Sequence, residues 1–470
     1  MVWSIRHRRW AGLALALVIS AASAASAASA ASATAARAKP VAVTWMKSSA
    51  SPGTPARFDK VGVIKVGRPG ARNILVLEPG TSAGGGYFVP LARWIVSKAP
   101  GWQIWSVERR ENLLEDQSEL NRAKQGRASA TQLFDYYLGY LANPGITRHI
   151  EPVPDSSVGF ARRWGMAVAV QDLRTVLTAA RRLGGRVVLG GHSLGGSVVT
   201  AYATWNFGGR AGADQLAGLV YDDGGSAETA VTDGAARNEL RTLRTSTPWL
   251  AFSGVPAPDL GVFSAVGSTA ALIAPNQPSL SQSFVFTPAA LKPPMAATNL
   301  ATFGYDTDTK TSKLVFAAQA HLGALNTSVS PAGWSRDGAI TPVTRYAEML
   351  SGTGMSNVDG TEWYFPQRLT DDTGAVDQGN ANPAQKVLGV RATMGHRLPR
   401  SLRIYAFGAY GGSAVTGDAA ALARQSRIPR SHLLLVDRHQ TYAHNDPAAA
   451  YPRNAFVSNL IRFLGTIAKH

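Results

Sequence analysis

The stretch that most constrains this chain runs over residues 187–199, Val-Val-Leu-Gly-Gly-His-Ser-Leu-Gly-Gly-Ser-Val-Val. Its short apolar run rich in β-branched residues reads as a buried strand, the glycine-flanked Ser193 as a tight turn, and residues 197–207 as a helix leaving that turn. That order, strand then turn then helix, puts a serine hydroxyl at the end of a sheet, where a base can reach it. Gly191-His192-Ser193-Leu194-Gly195 matches the G-x-S-x-G elbow, in which the serine backbone is strained and small neighbours let strand and helix approach closely. A second copy, Gly80-Thr81-Ser82-Ala83-Gly84, also follows an apolar run at 74–77, but the glycines that come next disfavour a helix there. Ser193 is therefore the expected nucleophile and Ser82 is not. The competing reading of Ser193 is an ordinary glycine turn at the start of a helix.

Residues 1–36 carry a basic start (Arg6, Arg8, Arg9), an apolar stretch at 10–19 and an Ala-Ala-Ser repeat with many A-x-A sites. This is the pattern of a secretory signal peptide, its apolar part short for a membrane anchor, and it predicts a secreted or extracytoplasmic mature chain. Arg8-Arg9 leaves the export route open. The chain has no cysteine, which excludes disulfides, a lipid-anchored cysteine and thiolate metal sites. Its net charge of +17 falls to +14 when the three leader arginines go. The remaining charges are scattered rather than in blocks, so a solvated basic surface is expected and a nucleic-acid partner is not. No later segment approaches eighteen uninterrupted apolar residues, so no transmembrane span is expected.

Along the chain, residues 57–66, 73–77, 102–107, 216–221, 402–407 and 432–436 read as further strands. Residues 88–99, 162–183, 418–424 and 452–464 read as helices, the last with proline at its start and Gly465 past its end. Residues 111–155 read as polar and irregular around one helix at 128–141. Strands alternating with helices imply a mostly parallel sheet covered by helices on both faces, with ligands beyond the carboxyl ends of the strands. The alternation breaks at 225–400, a proline- and glycine-rich region carrying Trp249, Phe252, Phe284, Phe286, Trp334, Trp363 and Tyr364 and helical pieces at 314–325 and 343–350. This reads as an inserted cap between core parts at 37–224 and 401–470, its aromatics forming its own core or lining a pocket. Asp306-Thr307-Asp308 lacks the glycine and closing glutamate of a calcium loop, and neither a metal nor another cofactor is expected.

On Gly191 to Gly195, on the glycine-rich loop after an early strand, and on His444 in a loop after the last strand, the chain resembles the α/β-hydrolase-fold serine hydrolases over residues 57–224 and 401–470. The resemblance implies a Ser-His-acid triad. A serine hydroxyl needs a base beside it, and His444 fits the post-strand loop best, with His439 as the alternative. His192, inside the elbow, is expected to point away from the Ser193 hydroxyl. The acid commonly follows the penultimate strand, but here that strand runs into Gly408-Ala409-Tyr410-Gly411-Gly412 with no carboxylate. Some lipase-like members carry it one strand earlier, where this chain offers Asp223 or Asp222. Asp418 remains a third candidate, although N-capping of a helix is its other reading. The resemblance further implies an oxyanion hole from the backbone N–H groups of Leu194 and Thr81.

The resulting expectation is a secreted hydrolase of carboxylic esters acting through a covalent acyl-serine, on a small-molecule or lipid-like ester. The alternatives are an acyltransferase or peptidase on the same triad, or an inactive binding protein on this scaffold. Neither the substrate nor the oligomeric state is readable from the sequence.

Overall fold

In a parallel sheet covered on both sides, alternate residues of each strand must be apolar toward opposite cores, so the strands read as continuous apolar runs. Asn73–Glu78 shows this: Ile74 and Val76 enter one core cluster, Leu75 and Leu77 the other. Ile404 and Ala406 alternate in the same way with Tyr405 and Phe407. A computed structural model describes residues 41–225, 231–252, 254–313, 319–356 and 358–469, and the leader at 1–36 lies outside them.

Eight strands form one sheet: β1 (Val43–Lys47), β2 (Lys60–Val66), β3 (Asn73–Glu78), β4 (Trp102–Glu108), β5 (Val187–His192), β6 (Gly218–Asp222), β7 (Arg403–Gly408) and β8 (Leu433–Asp437). Their spatial order is β1-β2-β4-β3-β5-β6-β7-β8. β2 pairs antiparallel with both β1 and β4, and every other pairing is parallel. In register, Leu77 faces Gly190 and His192 faces Asp222, so β3, β5 and β6 end side by side. That shared edge carries the glycine loop, the elbow and the Asp222-Asp223 pair.

Helices cover both faces. The residues of α2 (Met166–Arg181), α3 (Leu194–Thr204) and α7 (Gly412–Gln425) join one cluster, and those of α1 (Val89–Lys98) and α8 (Ala455–Ala468) join the other. Between β6 and β7 lie α4 (Ala257–Ile273), α5 (Asn299–Thr307) and α6 (Val343–Ser351). This region contributes to both sheet-face clusters, through Phe365 and Leu369 on one side and Tyr346 and Met349 on the other. Trp249, Phe284, Trp363 and Tyr364 fall in a third cluster, shared with Leu133, Tyr137 and Trp164 from the segment before α2. Phe286 is exposed. Replacing a fully buried aliphatic such as Leu75 by alanine would cost about 2–5 kcal/mol.

Several expected boundaries move. The strand expected at 57–66 begins at Lys60, after a 3-10 turn at Ala56–Phe58. α3 begins at Leu194 rather than 197, because Gly195 and Gly196 pack into the helix instead of preceding it. The last helix starts at Ala455, where the Asn454 side chain accepts from Val457 N, and it runs through Gly465 to Ala468. Of the helix expected at 314–325, residues 314–318 lie outside the described residues, and Ala324–Asn326 is instead a strand paired with Gly333–Ser335. Ser118–Lys124 is an additional helix, which the polarity of its region concealed.

Candidate active site

The elbow forms as its residue types require. Ser193 sits at φ 55°, ψ −128° between β5 and α3, a left-handed conformation that costs a non-glycine residue of order 1–3 kcal/mol. Two close approaches hold it there. A Cβ on Gly195 would lie 2.2 Å from the Glu78 carbonyl oxygen, and one on Gly224 would lie 2.0 Å from that of Ser193. Ser193 N donates to Asp222 O at 3.0 Å, joining the turn to the end of β6. The residue itself remains partly exposed.

Immediately after β6 the backbone turns again at Asp223, with φ 46°. Its carboxylate is fully engaged. Oδ2 accepts from His444 Nδ1 at 2.5 Å, and Oδ1 accepts from Ala409 N at 2.7 Å and Gly411 N at 2.9 Å. The glycine-rich loop after β7, which lacks a carboxylate of its own, thus supplies the N–H donors that orient the acid from the neighbouring strand. Asp223 and His444 are both buried. Nδ1 of the imidazole is thus committed to Asp223.

His192 holds His444 from the other side. Its Nε2 lies 3.0 Å from His444 O, and because a carbonyl can only accept, that nitrogen carries the proton. The two rings lie 4.5 Å apart, and His192 also stacks on Tyr87. Burial, and then the neighbouring His444, pull the His192 pKa down to about 3, so it is a neutral donor across the working range. The residue after the base is pinned as well, with Tyr87 Oη donating to Asn445 Oδ1 at 2.8 Å.

The loop carrying His444 is further joined to the region between β6 and β7. Asn445 N donates to Gln319 O (3.2 Å), while Asp446 Oδ1 accepts from His321 N (3.0 Å) and Thr341 Oγ1 (2.6 Å). The His321 ring meets Asp446 Oδ2 at 2.5 Å through Nδ1.

The glycine loop lies directly against the nucleophile. A Cβ on Gly80 would meet Ser193 Cβ at 2.8 Å. Among the described residues, neither Thr81 N nor Leu194 N donates to another group. The loop is clamped from below by the buried Arg109. Its guanidinium donates to Pro79 O (2.9 Å), Gly80 O (2.7 Å), Ala83 O (2.9 Å) and Glu78 Oε1 (3.0 Å), and pairs with Glu362. Glu108 accepts from Gly85 N. Burial pushes Glu78 up to about 7 and Glu108 up to about 8, with Arg109 pulling the other way in each case. Burial alone would lower Arg109, but Glu362 and Glu78 raise it overall, so it stays charged. Arg109 was not foreseen as a site residue. Its only signal is its place at the carboxyl end of β4, and its partner Glu362 is 253 residues away.

The alternatives separate clearly. Both Asp222 oxygens are buried without a hydrogen-bond partner among the described residues, and burial followed by Asp223 raises this carboxyl well above its usual range. Asp418 lies in the middle of α7, so the N-cap reading does not hold. His439 pairs with Asp437 at 2.8 Å on an exposed loop. Asp308, of the weak calcium-like stretch, accepts backbone N–H groups from Lys310, Leu322 and Gly323. Among the described residues, no group of three or more histidines and carboxylates is arranged to hold a metal, and no helix is long and apolar enough to cross a membrane.

No family model and no curated protein matches the chain. It is similar to a solved Sulfolobus solfataricus protein assigned as a lipase, at 14% identity, 90% of this chain, 92% of that one and a TM-score of 0.43. A thermophilic esterase from Thermogutta terrifontis gives 13%, 91%, 99% and 0.36 in the same terms. A haloalkane dehalogenase from Bradyrhizobium elkani gives 12%, 91%, 99% and 0.38. The fold assignment rests on the chain's own topology. Its strand order with β2 alone reversed, its strained serine between β5 and α3, the carboxylate after β6 and the histidine after β8 give this chain the α/β-hydrolase fold.

Proposed function

We propose that the chain is a secreted serine hydrolase of carboxylic esters, acting through an acyl-serine intermediate. The observation that carries this reading is the 2.5 Å contact of His444 Nδ1 with Asp223 Oδ2 on the strand edge that presents Ser193 in its strained turn. Ser193 Oγ attacks the ester carbonyl while His444 Nε2 takes its proton, and Asp223 holds the imidazolium that forms. The oxyanion of the tetrahedral intermediate takes hydrogen bonds from the N–H groups of Leu194 and Thr81, each worth roughly 3 kcal/mol in the transition state. Collapse breaks the C–O bond, and His444 returns its proton to the departing alcohol. Water, deprotonated by the same histidine, then hydrolyses the acyl-serine and restores the hydroxyl. Arg109 acts at one remove, by fixing the carbonyls of the loop that carries the Thr81 N–H.

The region 225–400 is the part that shapes the acyl pocket for a small-molecule or lipid-like ester. Export rests on the basic, apolar and A-x-A pattern of residues 1–36. Labelling with a fluorophosphonate followed by peptide mapping tests the assignment. The adduct is expected on Ser193, with loss of p-nitrophenyl ester hydrolysis in step. An adduct on Ser82, or no adduct on the folded protein, would overturn it.

A further inference from the structure

Away from Ser193, a small recess of about 60 Å³ lies among α4, α5 and the short helices Ala130–Tyr137 and Leu280–Ser283. Its wall is mainly apolar, from Phe134, Leu138, Phe263, Val266, Ala270 and Phe303. None of Ser193, His444, Asp223, Thr81 or Leu194 lines it.

Two features of this wall bear on what it could hold. The first is Asp306, 6% exposed, whose Oδ1 has no hydrogen-bond partner. Burial alone raises its pKa to about 8, with no cation close enough to offset it. Its polar neighbours are committed elsewhere: Asn299 donates to Ala274 O and accepts from Leu280 N, and Thr307 donates to Phe303 O. A buried carboxyl without a partner destabilises the fold, so its place needs another reason. The second is Gly267, inside α4. A glycine in a helix interior costs about 1 kcal/mol against alanine. Gly261 in the same helix is required by packing, since a Cβ there would lie 2.7 Å from Trp363 Cα. Around Gly267, which lines the recess, a Cβ would meet nothing within 4 Å.

We propose that this recess is a second ligand site, separate from Ser193, for a small amphipathic amine whose ammonium group pairs with the Asp306 carboxylate while its short tail of roughly three or four carbons lies on the apolar wall. A hydrocarbon would leave the carboxyl unmatched, and an anion would meet it in a poorly screened setting. An alkylamine, which holds its proton to about pH 10 as lysine does, supplies the missing charge. The site stands whether or not Ser193 is the nucleophile.

Titration calorimetry of the mature protein at pH 9, above the value of about 8 for Asp306 and below that of an alkylamine, with n-butylamine, n-butanol and butyrate tests this. Saturable binding of butylamine at one site is expected, at least tenfold weaker for butanol and undetectable for butyrate. Asp306→Asn should weaken butylamine at least tenfold while its unfolding midpoint stays level or rises. Gly267→Leu, which adds a bulky side chain to a residue of the recess wall, should abolish binding with no drop in midpoint. No binding to the unaltered protein, equal binding of butanol, or butylamine binding that persists in either variant would overturn the proposal.

Discussion

Two serines in this chain sit in the same five-residue pattern and in nearly the same strained backbone, Ser193 at φ 55° and Ser82 at φ 52°. Everything around them differs. Both residues are half-exposed, but Ser193 opens an eleven-residue helix and shares its strand edge with Asp223 and His444. Ser82 is followed by a 3-10 turn, its hydroxyl is buried without a partner, and its carbonyl accepts from Glu362 N at 2.9 Å. The pattern therefore specifies a turn and a close approach of chains. Whether that turn arms a hydroxyl depends on which elements end beside it. In the second copy the turn brings Gly80 against Ser193.

The comparison breaks most sharply on Ser193→Ala, which should lower kcat for a p-nitrophenyl ester by about 10⁵–10⁶. Comparable activity in this variant would reverse the roles of the two turns. Next in size is Asp223→Asn, which keeps the geometry but disturbs the imidazole tautomer, for an expected loss of about 10³–10⁴ in kcat. Asp222→Asn, in the same assay, should leave the pH profile unmoved. Gly80→Ala pushes the loop off Ser193 Cβ, and a displacement of this order should cost about 10–100-fold in kcat with little change in KM. Growth in KM alone would mean the loop binds substrate without stabilising the oxyanion.

A stability measurement probes the floor beneath the second turn. Glu108 keeps its proton to about pH 8 when folded and releases it near 4.5 when unfolded, so between those values the folded state binds more protons and stability falls as pH rises. Glu108→Gln should flatten that fall by up to about 1.4 kcal/mol per pH unit over pH 5 to 8 in urea titrations. An unchanged slope would mean the carboxyl is ionised beneath the loop. The smallest effect is expected for Ser82→Ala, within about twofold of the parent activity, since the hydroxyl it removes is buried and unbonded.

The sheet was readable because its inner strands are buried on both faces and so appear as unbroken apolar runs. β1, half-exposed at the edge, carries a weaker pattern and escaped notice. Helix limits were misplaced where glycine was taken for punctuation. Gly195 and Gly465 both lie inside helices, the first because no Cβ fits beside the Glu78 carbonyl. Ser193 and His444 could be placed after strand ends from the sequence alone, and the structure puts both there. Choosing between Asp222 and Asp223 could not be settled that way, because consecutive residues at a strand end face opposite sides, and the decision lies in the turn at Asp223. Arg109, Glu362 and the His192 brace were invisible for a different reason: each acts through a partner far away in the chain.

The seam of hydrogen bonds from Gln319, His321 and Thr341 to residues 445 and 446 has a mechanical consequence for the whole molecule. A displacement of residues 319–341 would pull on the loop that carries His444, so a force applied at His321 would be transmitted to that imidazole through residues 445 and 446.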